Sequence, residues 1–192
     1  LLPEVVPAGS VLGPIAPTMA ERFGLPDNIK ICAGTTDSTA AFIASGANQP
    51  GEAVTALGST LVLKVISEHP LFAPKFGIYS QPLGDLWLVG GASNSGGAGL
   101  RGFFTDEQMR QMTPQLKPEH PTGLDYYPLP SPGERFPISD PQLPPRLTPR
   151  PDDDVPFFQG LLEGIARIEK AGYDKLAELG APYPTSVRSN GG

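Results

Sequence analysis

Three stretches of this 192-residue chain combine residue types and spacings that can do chemistry. In Ala33-Gly34-Thr35-Thr36-Asp37-Ser38, a short β-type run ends in a tight turn and an aspartate opens a helix. A carboxylate at the carboxyl end of a strand sits where α/β folds place reacting groups, and it can take a proton from a substrate hydroxyl. Aspartate is also a good helix cap, so capping is the simpler reading of the same residue. In Ala56-Leu57-Gly58-Ser59-Thr60, hydroxyl residues flank a glycine between two β-type runs. That tip is either a plain turn or a phosphate cradle, in which glycine admits an anion to the backbone while amides and hydroxyls donate to it. The third stretch, residues 90–99, is Gly-Gly-Ala-Ser-Asn-Ser-Gly-Gly-Ala-Gly. Gly97, Gly99 and Gly102 fit the G-x-G-x-x-G spacing of dinucleotide folds, but that fingerprint needs a second strand and an acid about 20 residues on. Proline-rich sequence follows instead, which argues against it.

The remaining reactive types lend themselves to structure. Cys32 is the only cysteine and reads as core packing, while His69 and His120, each beside a proline, offer no zinc-ligand spacing. Asp152-Asp153-Asp154 precedes a helix and reads as cap and dipole complement rather than a cation site, with Asp154 as the cap. Lys64 and Arg101 read as solvated or paired charges. Chemistry here therefore rests on carboxylates, hydroxyls and backbone amides, or on a bound cofactor.

Charge and length narrow the classes further. Fourteen Lys and Arg stand against 20 Asp and Glu, a net charge of −6, with no basic cluster interleaved with aromatics, so nucleic acid is not an expected partner. The longest mainly apolar runs, such as 60–66, fall far short of the ~20 residues that cross a bilayer, so a soluble chain is expected. With 23 glycines and 24 prolines the sequence nears the range of low-complexity chains, yet 39% hydrophobic residues leave enough apolar surface to fold.

The elements that must position these groups follow from period and punctuation. A short helix is expected over 18–23, ended by Gly24, then a buried strand over 29–34 and a small-residue helix over 37–45 stopped by Gly46. Strands over 52–57 and 60–66 should pair antiparallel through Gly58-Ser59, a two-residue turn whose glycine would take positive φ. A third strand over 85–90 and a helix over 100–112 come next. Residues 114–156 hold 13 of the 24 prolines. So long a loop, carrying Tyr126, Tyr127 and Phe136, should be tied down on a surface. A helix over 156–179 has an apolar stripe at helical spacing, and its Gly160, Gly164 and Gly172 suggest close packing against a sheet. A β-type run over 185–189 enters Asn190-Gly191-Gly192, which reads as a cut through a motif. One domain spanning 1–192 is expected, with 114–155 as a proline-rich surface loop inside it.

In serial order these motifs resemble the C-terminal half of the FGGY carbohydrate kinases, a family with the ribonuclease-H-like, actin-like ATPase fold. Ala33-Gly34-Thr35-Thr36-Asp37 is similar to the family's catalytic-aspartate motif and Ala56-Leu57-Gly58-Ser59-Thr60 to its second phosphate hairpin. Gly90-Gly91-Ala92-Ser93 resembles the glycine segment that follows, Gly133-Glu134-Arg135 its G-E-R loop, Leu162-Glu163-Gly164-Ile165-Ala166 its long helix, and Ser189-Asn190-Gly191-Gly192 its adenosine turn. The segment after Arg135 departs from the usual pattern. Thr35 to Phe42 and Gly58 to Lys64 look most like cyanobacterial and plant D-ribulose kinases, also described as xylulose-kinase-like.

The resemblance implies an α/β domain with a mixed sheet flanked by helices, the nucleotide-side lobe of a two-lobed kinase whose N-terminal lobe lies outside this sequence. It implies transfer of the ATP γ-phosphoryl group to a sugar hydroxyl, with Asp37 binding the sugar and acting as base. Gly58, Ser59, Thr60, Gly91, Ala92, Gly191 and Gly192 would face ATP, and Mg²⁺ would accompany the phosphates through water and groups outside this chain. ATP, a small sugar and the other lobe are the implied partners, in the cytoplasm or a plastid. A non-catalytic actin-fold binding module, or a kinase for another sugar such as D-xylulose, stands as the alternative.

Overall fold

The computed structural model describes residues 3–191. They fall into two compact units, one ending at Ala44 and one beginning at Ser45. The first holds β1 (Val11–Pro14), α1 (Pro17–Phe23), β2 (Lys30–Cys32) and α2 (Asp37–Ala44). Strands β1 and β2 pair antiparallel, with Val11 opposite Cys32. Pro17 opens α1, and Gly24 closes it in the left-handed region at φ 61°, donating its N–H to the last carbonyls.

The buried strand expected over 29–34 is corrected here. β2 is three residues long and exposed throughout, Ile31 is 43% exposed, and Cys32 lies at the surface rather than in a core. Its sheet has two strands only, so the apolar pattern makes a strand without supplying layers to bury it.

The second unit contains β3 (Glu52–Leu57), β4 (Leu61–Ser67), β5 (Tyr79–Leu83), β6 (Leu86–Ser93), α3 (Gly97–Arg101), α4 (Asp106–Met112), α5 (Asp154–Glu178) and β7 (Ser186–Asn190). They form a mixed sheet in the order β5-β6-β4-β3-β7, antiparallel except for the parallel β3–β7 pair. The expected pairing of the two strands around Gly58 is present, with Ala53 opposite Val65 and Leu57 opposite Leu61. Three residues, not two, close that hairpin, and Gly58 does not adopt positive φ. Strand β5, absent from the expected elements, contains Pro82. As an edge strand paired only with β6, it tolerates the missing N–H.

The helix expected over 100–112 is two helices. Thr105 starts α4 as N-cap of a capping box with Gln108, so local hydrogen bonding breaks the run. Helix α5 lies against β4 and β6, as its apolar stripe requires. Its cap is Asp153, which accepts the Val155 N–H at 3.0 Å, while Asp154 pairs with Arg150 at 2.6 Å. A Cβ on Gly172 would lie 2.4 Å from the Leu63 side chain, so this glycine does let the helix approach the sheet. Gly160 and Gly164 instead face the proline-rich segment, where a Cβ would meet Tyr126 atoms at 2.9 and 2.7 Å. That segment is tied down through Tyr126 and Phe136, each 1% exposed. Phe157 centres an aromatic cluster, meeting Phe103, Phe104 and Tyr126 edge-on at 5.1–6.1 Å. Lys64 is buried rather than solvated and donates to Gln81 Oε1 at 2.7 Å. Among the described residues no helix is long and apolar enough to cross a membrane.

Candidate functional site

At the start of α2, the helix cap and the candidate base are different residues. Thr36 precedes the first helical residue, its carbonyl accepts the Ala40 N–H at 2.9 Å, and its Oγ1 lies 3.4 Å from the Thr39 N–H. Thr36 therefore caps the helix and Asp37 opens it, with Oδ1 accepting the N–H of Ser38 at 2.8 Å. Capping does not account for Asp37. Its carboxylate is exposed and complements the positive end of the helix.

In the second unit, the tip Gly58-Ser59-Thr60 is held by its own backbone and by the start of α3. Gly58 N–H donates to Thr60 O at 3.1 Å, Gly97 N–H to Gly58 O at 2.8 Å, and Ala98 N–H to Ser59 O at 3.1 Å. The three carbonyl oxygens of the tip thus each accept from a protein amide. The donors of the tip are not used in the same way. The amides of Ser59 and Thr60 reach no backbone carbonyl, and neither hydroxyl engages a partner among the described residues. Gly58 and Ser59 are exposed, and a Cβ on Gly58 would meet nothing closer than Thr60 O at 3.9 Å. Unspent donors around an open glycine are what an anion requires.

Close contacts fix the surroundings of this tip. A Cβ on Gly96 would come within 2.8 Å of the Thr60 backbone, and one on Gly97 within 2.8 Å of Gly58 O. Gly191 stands at φ +124°, and a Cβ there would lie 2.2 Å from Leu57 O, so only glycine fits. The tip borders a cavity of about 420 Å³ whose walls include Leu57, Gly58, Gly97, Leu100, Arg101 and Met109. Arg101 pairs with Asp106 at 3.0 Å across its rim. The volume falls in the range of small-ligand clefts.

The expected site residues divide accordingly. Gly58, Ser59, Thr60 and Gly191 come together at one end of the sheet; Gly192 lies outside the described residues. Gly91 and Ala92 do not border the cavity. Gly91 is accounted for by packing, since a Cβ would lie 2.7 Å from the Phe136 ring, and Ala92 O accepts Arg135 Nε at 2.7 Å. Gly97 and Leu100 take the cavity wall instead. Sequence spacing alone pointed to the glycine run without saying which glycine faces out.

Glu134 was not singled out as a site residue. It is 3% exposed, yet its carboxylate accepts from Ser93 Oγ at 2.5 Å, Asn94 N at 2.8 Å, Tyr127 OH at 2.9 Å and Arg135 N at 2.9 Å. Burial first, and then the adjacent Glu134 charge, push the Tyr127 phenol far up, so it stays a donor. An acid inside a G-E-R loop among prolines was the only signal for it.

An α/β unit with this mixed sheet and flanking helices has the actin-like ATPase fold of carbohydrate kinases. Among solved structures, a xylulose kinase from Brucella ovis superposes with TM-score 0.86 at 23% identity, and one from Lactobacillus acidophilus with 0.81 at 19%. Each match covers 99% of this chain and 40% of the other. A gluconate kinase from L. acidophilus superposes at 0.80 with 19% identity, over 99% of this chain and 40% of its own. In sequence, a ribulokinase from Halalkalibacterium halodurans is 35% identical over 65 residues, 34% of this chain and 12% of that enzyme. No family model matches the chain. The resemblance to the FGGY carbohydrate kinases thus appears in sequence and in fold, and the chain spans about 40% of the length of the structures it matches.

Proposed function

We propose that this chain is the nucleotide-side part of an ATP-dependent sugar kinase of the FGGY family, acting on a ketopentose such as D-ribulose. The observation that carries the reading is the hairpin tip, where unspent amides and hydroxyls at Ser59 and Thr60 surround an open glycine beside a 420 Å³ cavity. The ribulokinase match and the sugar-kinase fold support it. Gluconate and xylulose kinases share this fold, so sugar identity rests on the sequence likeness to D-ribulose kinases.

Phosphoryl transfer asks little covalent chemistry of a protein; it needs an oriented nucleophile and donors for charge on the phosphoryl oxygens. Asp37 takes the proton of the sugar hydroxyl as that oxygen bonds to the γ-phosphorus. The bond from phosphorus to the bridging oxygen breaks and ADP leaves. The amides and hydroxyls of Ser59 and Thr60 donate to ATP phosphate oxygens, Gly58 leaves the backbone open to their approach, and Gly191 opens the adenosine side with Gly192. Mg²⁺ would accompany the ATP phosphates; among the described residues there is no group of three His, Cys, Asp or Glu. Phosphate oxygens and water suit its octahedral preference. The 192-residue chain alone binds nucleotide weakly and turns over no sugar, because the other lobe carries the remaining contacts.

Asp37→Asn tests the reading in the full-length protein. Asparagine is close in shape, and Thr36 keeps the cap, so the melting curve should stay near wild type. Loss of the proton acceptor should lower kcat for D-ribulose by on the order of 10² to 10⁴ with ADP affinity little changed. A folded variant with kcat within about threefold of wild type removes Asp37 as base.

A further inference from the structure

We propose that Glu134, which does not border the cavity, is a positioning residue that sets the phosphate hairpin against it. This rests on the reading of the hairpin as the nucleotide site. Gly133-Glu134-Arg135 grips Ala92-Ser93-Asn94 at every residue. Arg135 Nε donates to Ala92 O at 2.7 Å, Glu134 accepts from Ser93 Oγ and Asn94 N, and Asn94 Nδ2 donates to Gly133 O at 3.0 Å. From Ser93 the bonding continues outward. Its Oγ accepts the Ser95 N–H at 3.0 Å, and Ser95 O accepts the N–H of Leu61 at 2.7 Å, the first residue after the tip. Two residues beyond Ser95, Gly97 and Ala98 bind the Gly58 and Ser59 carbonyls. A continuous series of bonds therefore joins a buried carboxylate to both sides of the tip.

Ordinary loop anchoring would give the same carboxylate a different signature. Glu163 provides the comparison. It holds the same proline-rich segment by accepting from Thr122 N at 3.0 Å and Thr122 Oγ1 at 2.7 Å, accepts from Gln159 Nε2 of its own helix at 2.9 Å, and has no bond toward the hairpin among the described residues. If Glu134 only anchors the segment, the two acids should behave alike.

Glu134→Gln separates them. Two backbone donors, from Asn94 and Arg135, demand the remaining carbonyl, which turns the new NH₂ toward the Ser93 and Tyr127 hydroxyls. Ser93 must then redirect its hydrogen, and the disturbance enters the route to the hairpin. In the full-length protein we expect the ADP dissociation constant from calorimetry and the KM for ATP to rise about tenfold, with the KM for D-ribulose moved less than about twofold. Glu163→Gln should lower Tm by a similar amount and leave ADP affinity at the wild-type value. The proposal is overturned if Glu134→Gln binds ADP like wild type, or if Glu163→Gln weakens it as much. Should Glu134→Gln fail to fold, Ser93→Ala removes only the middle link and should weaken ADP about threefold; unchanged affinity there overturns the proposal too. Wild-type protein that binds no ADP at all would remove the nucleotide reading itself, and this inference with it.

Discussion

Strands β2 and β4 read alike in sequence and end in opposite environments. Ile29-Lys30-Ile31-Cys32 and Leu61-Val62-Leu63-Lys64-Val65 are both apolar runs interrupted by one lysine. In β4, Leu61, Leu63 and Val65 are at most 1% exposed and Lys64 is buried on Gln81; in β2 every residue is exposed. The difference lies in neighbours. β4 has a strand on each side and α5 against it, whereas β2 has β1 alone. Local pattern makes a strand, and the surrounding layers decide whether its side chains leave water. The same contrast runs through the two units: Val11, Phe23, Ile31 and Ile43 of the first are 43–59% exposed, while the second carries the continuous core.

The largest expected effect tests that contrast directly. Phe157→Ala empties the centre of the aromatic cluster and should cost about 3–5 kcal/mol, whereas Phe23→Ala, 59% exposed, should change stability by no more than about 0.5 kcal/mol. Denaturant melts of the full-length protein give both numbers. A Phe23→Ala cost near that of Phe157→Ala would break the comparison, because something in the whole protein would then cover the first unit.

Next in size is a contrast between two glycines of the hairpin region. Gly58 faces open space and Gly97 faces Gly58 O at 2.8 Å from a would-be Cβ. Gly58→Val should therefore keep a near wild-type Tm while raising the KM for ATP about tenfold, since the added methyl groups fill the approach to free donors. A fall in Tm that tracks the loss of affinity would make the tip a structural turn. Unchanged KM and Tm together would leave Gly58 without a role at the phosphates.

How much was legible depended on whether a signal was local. The antiparallel pairing of β3 with β4, the end of α1 at Gly24 and the body of α5 followed from turn residues and apolar period, which act within a few residues, whereas the hairpin's register did not, because Thr60 joins the turn. The break between α3 and α4 is also local, in the Thr105 and Gln108 box, a signal that the single helix expected over 100–112 leaves out. Burial of β2, the edge position that admits Pro82, and the packing of Gly91 on Phe136 depend on segments far apart in sequence. The same is true of the site. Asp37, Gly58, Ser59 and Thr60 stood out because their residue types and spacing lie within single turns, while Glu134 acquires its hydrogen bonds only when a distant loop folds onto Ser93 and Asn94.

The smallest expected effect concerns the seam between β3 and β7, the one parallel pair in the sheet. Glu52 opens β3 and accepts the Asn48 N–H at 2.7 Å, pairs with Arg188 of β7 at 3.0 Å, and accepts the Gln49 N–H at 3.0 Å. In that order, these partners hold its carboxyl at about 2, below the ordinary 4.5. A depressed folded pKa contributes stability that is fully present above about 4.5 and is lost as pH falls through about 2. Glu52→Gln should therefore melt slightly below wild type at pH 7, and the gap should close progressively between those two values. Arg188 makes the gap salt-sensitive as well, because the pair is partly exposed and screened. A Tm difference that stays constant from pH 7 to pH 2 would mean that the carboxylate holds this seam by shape and not by charge, and that β7 docks onto β3 through its backbone ladder alone.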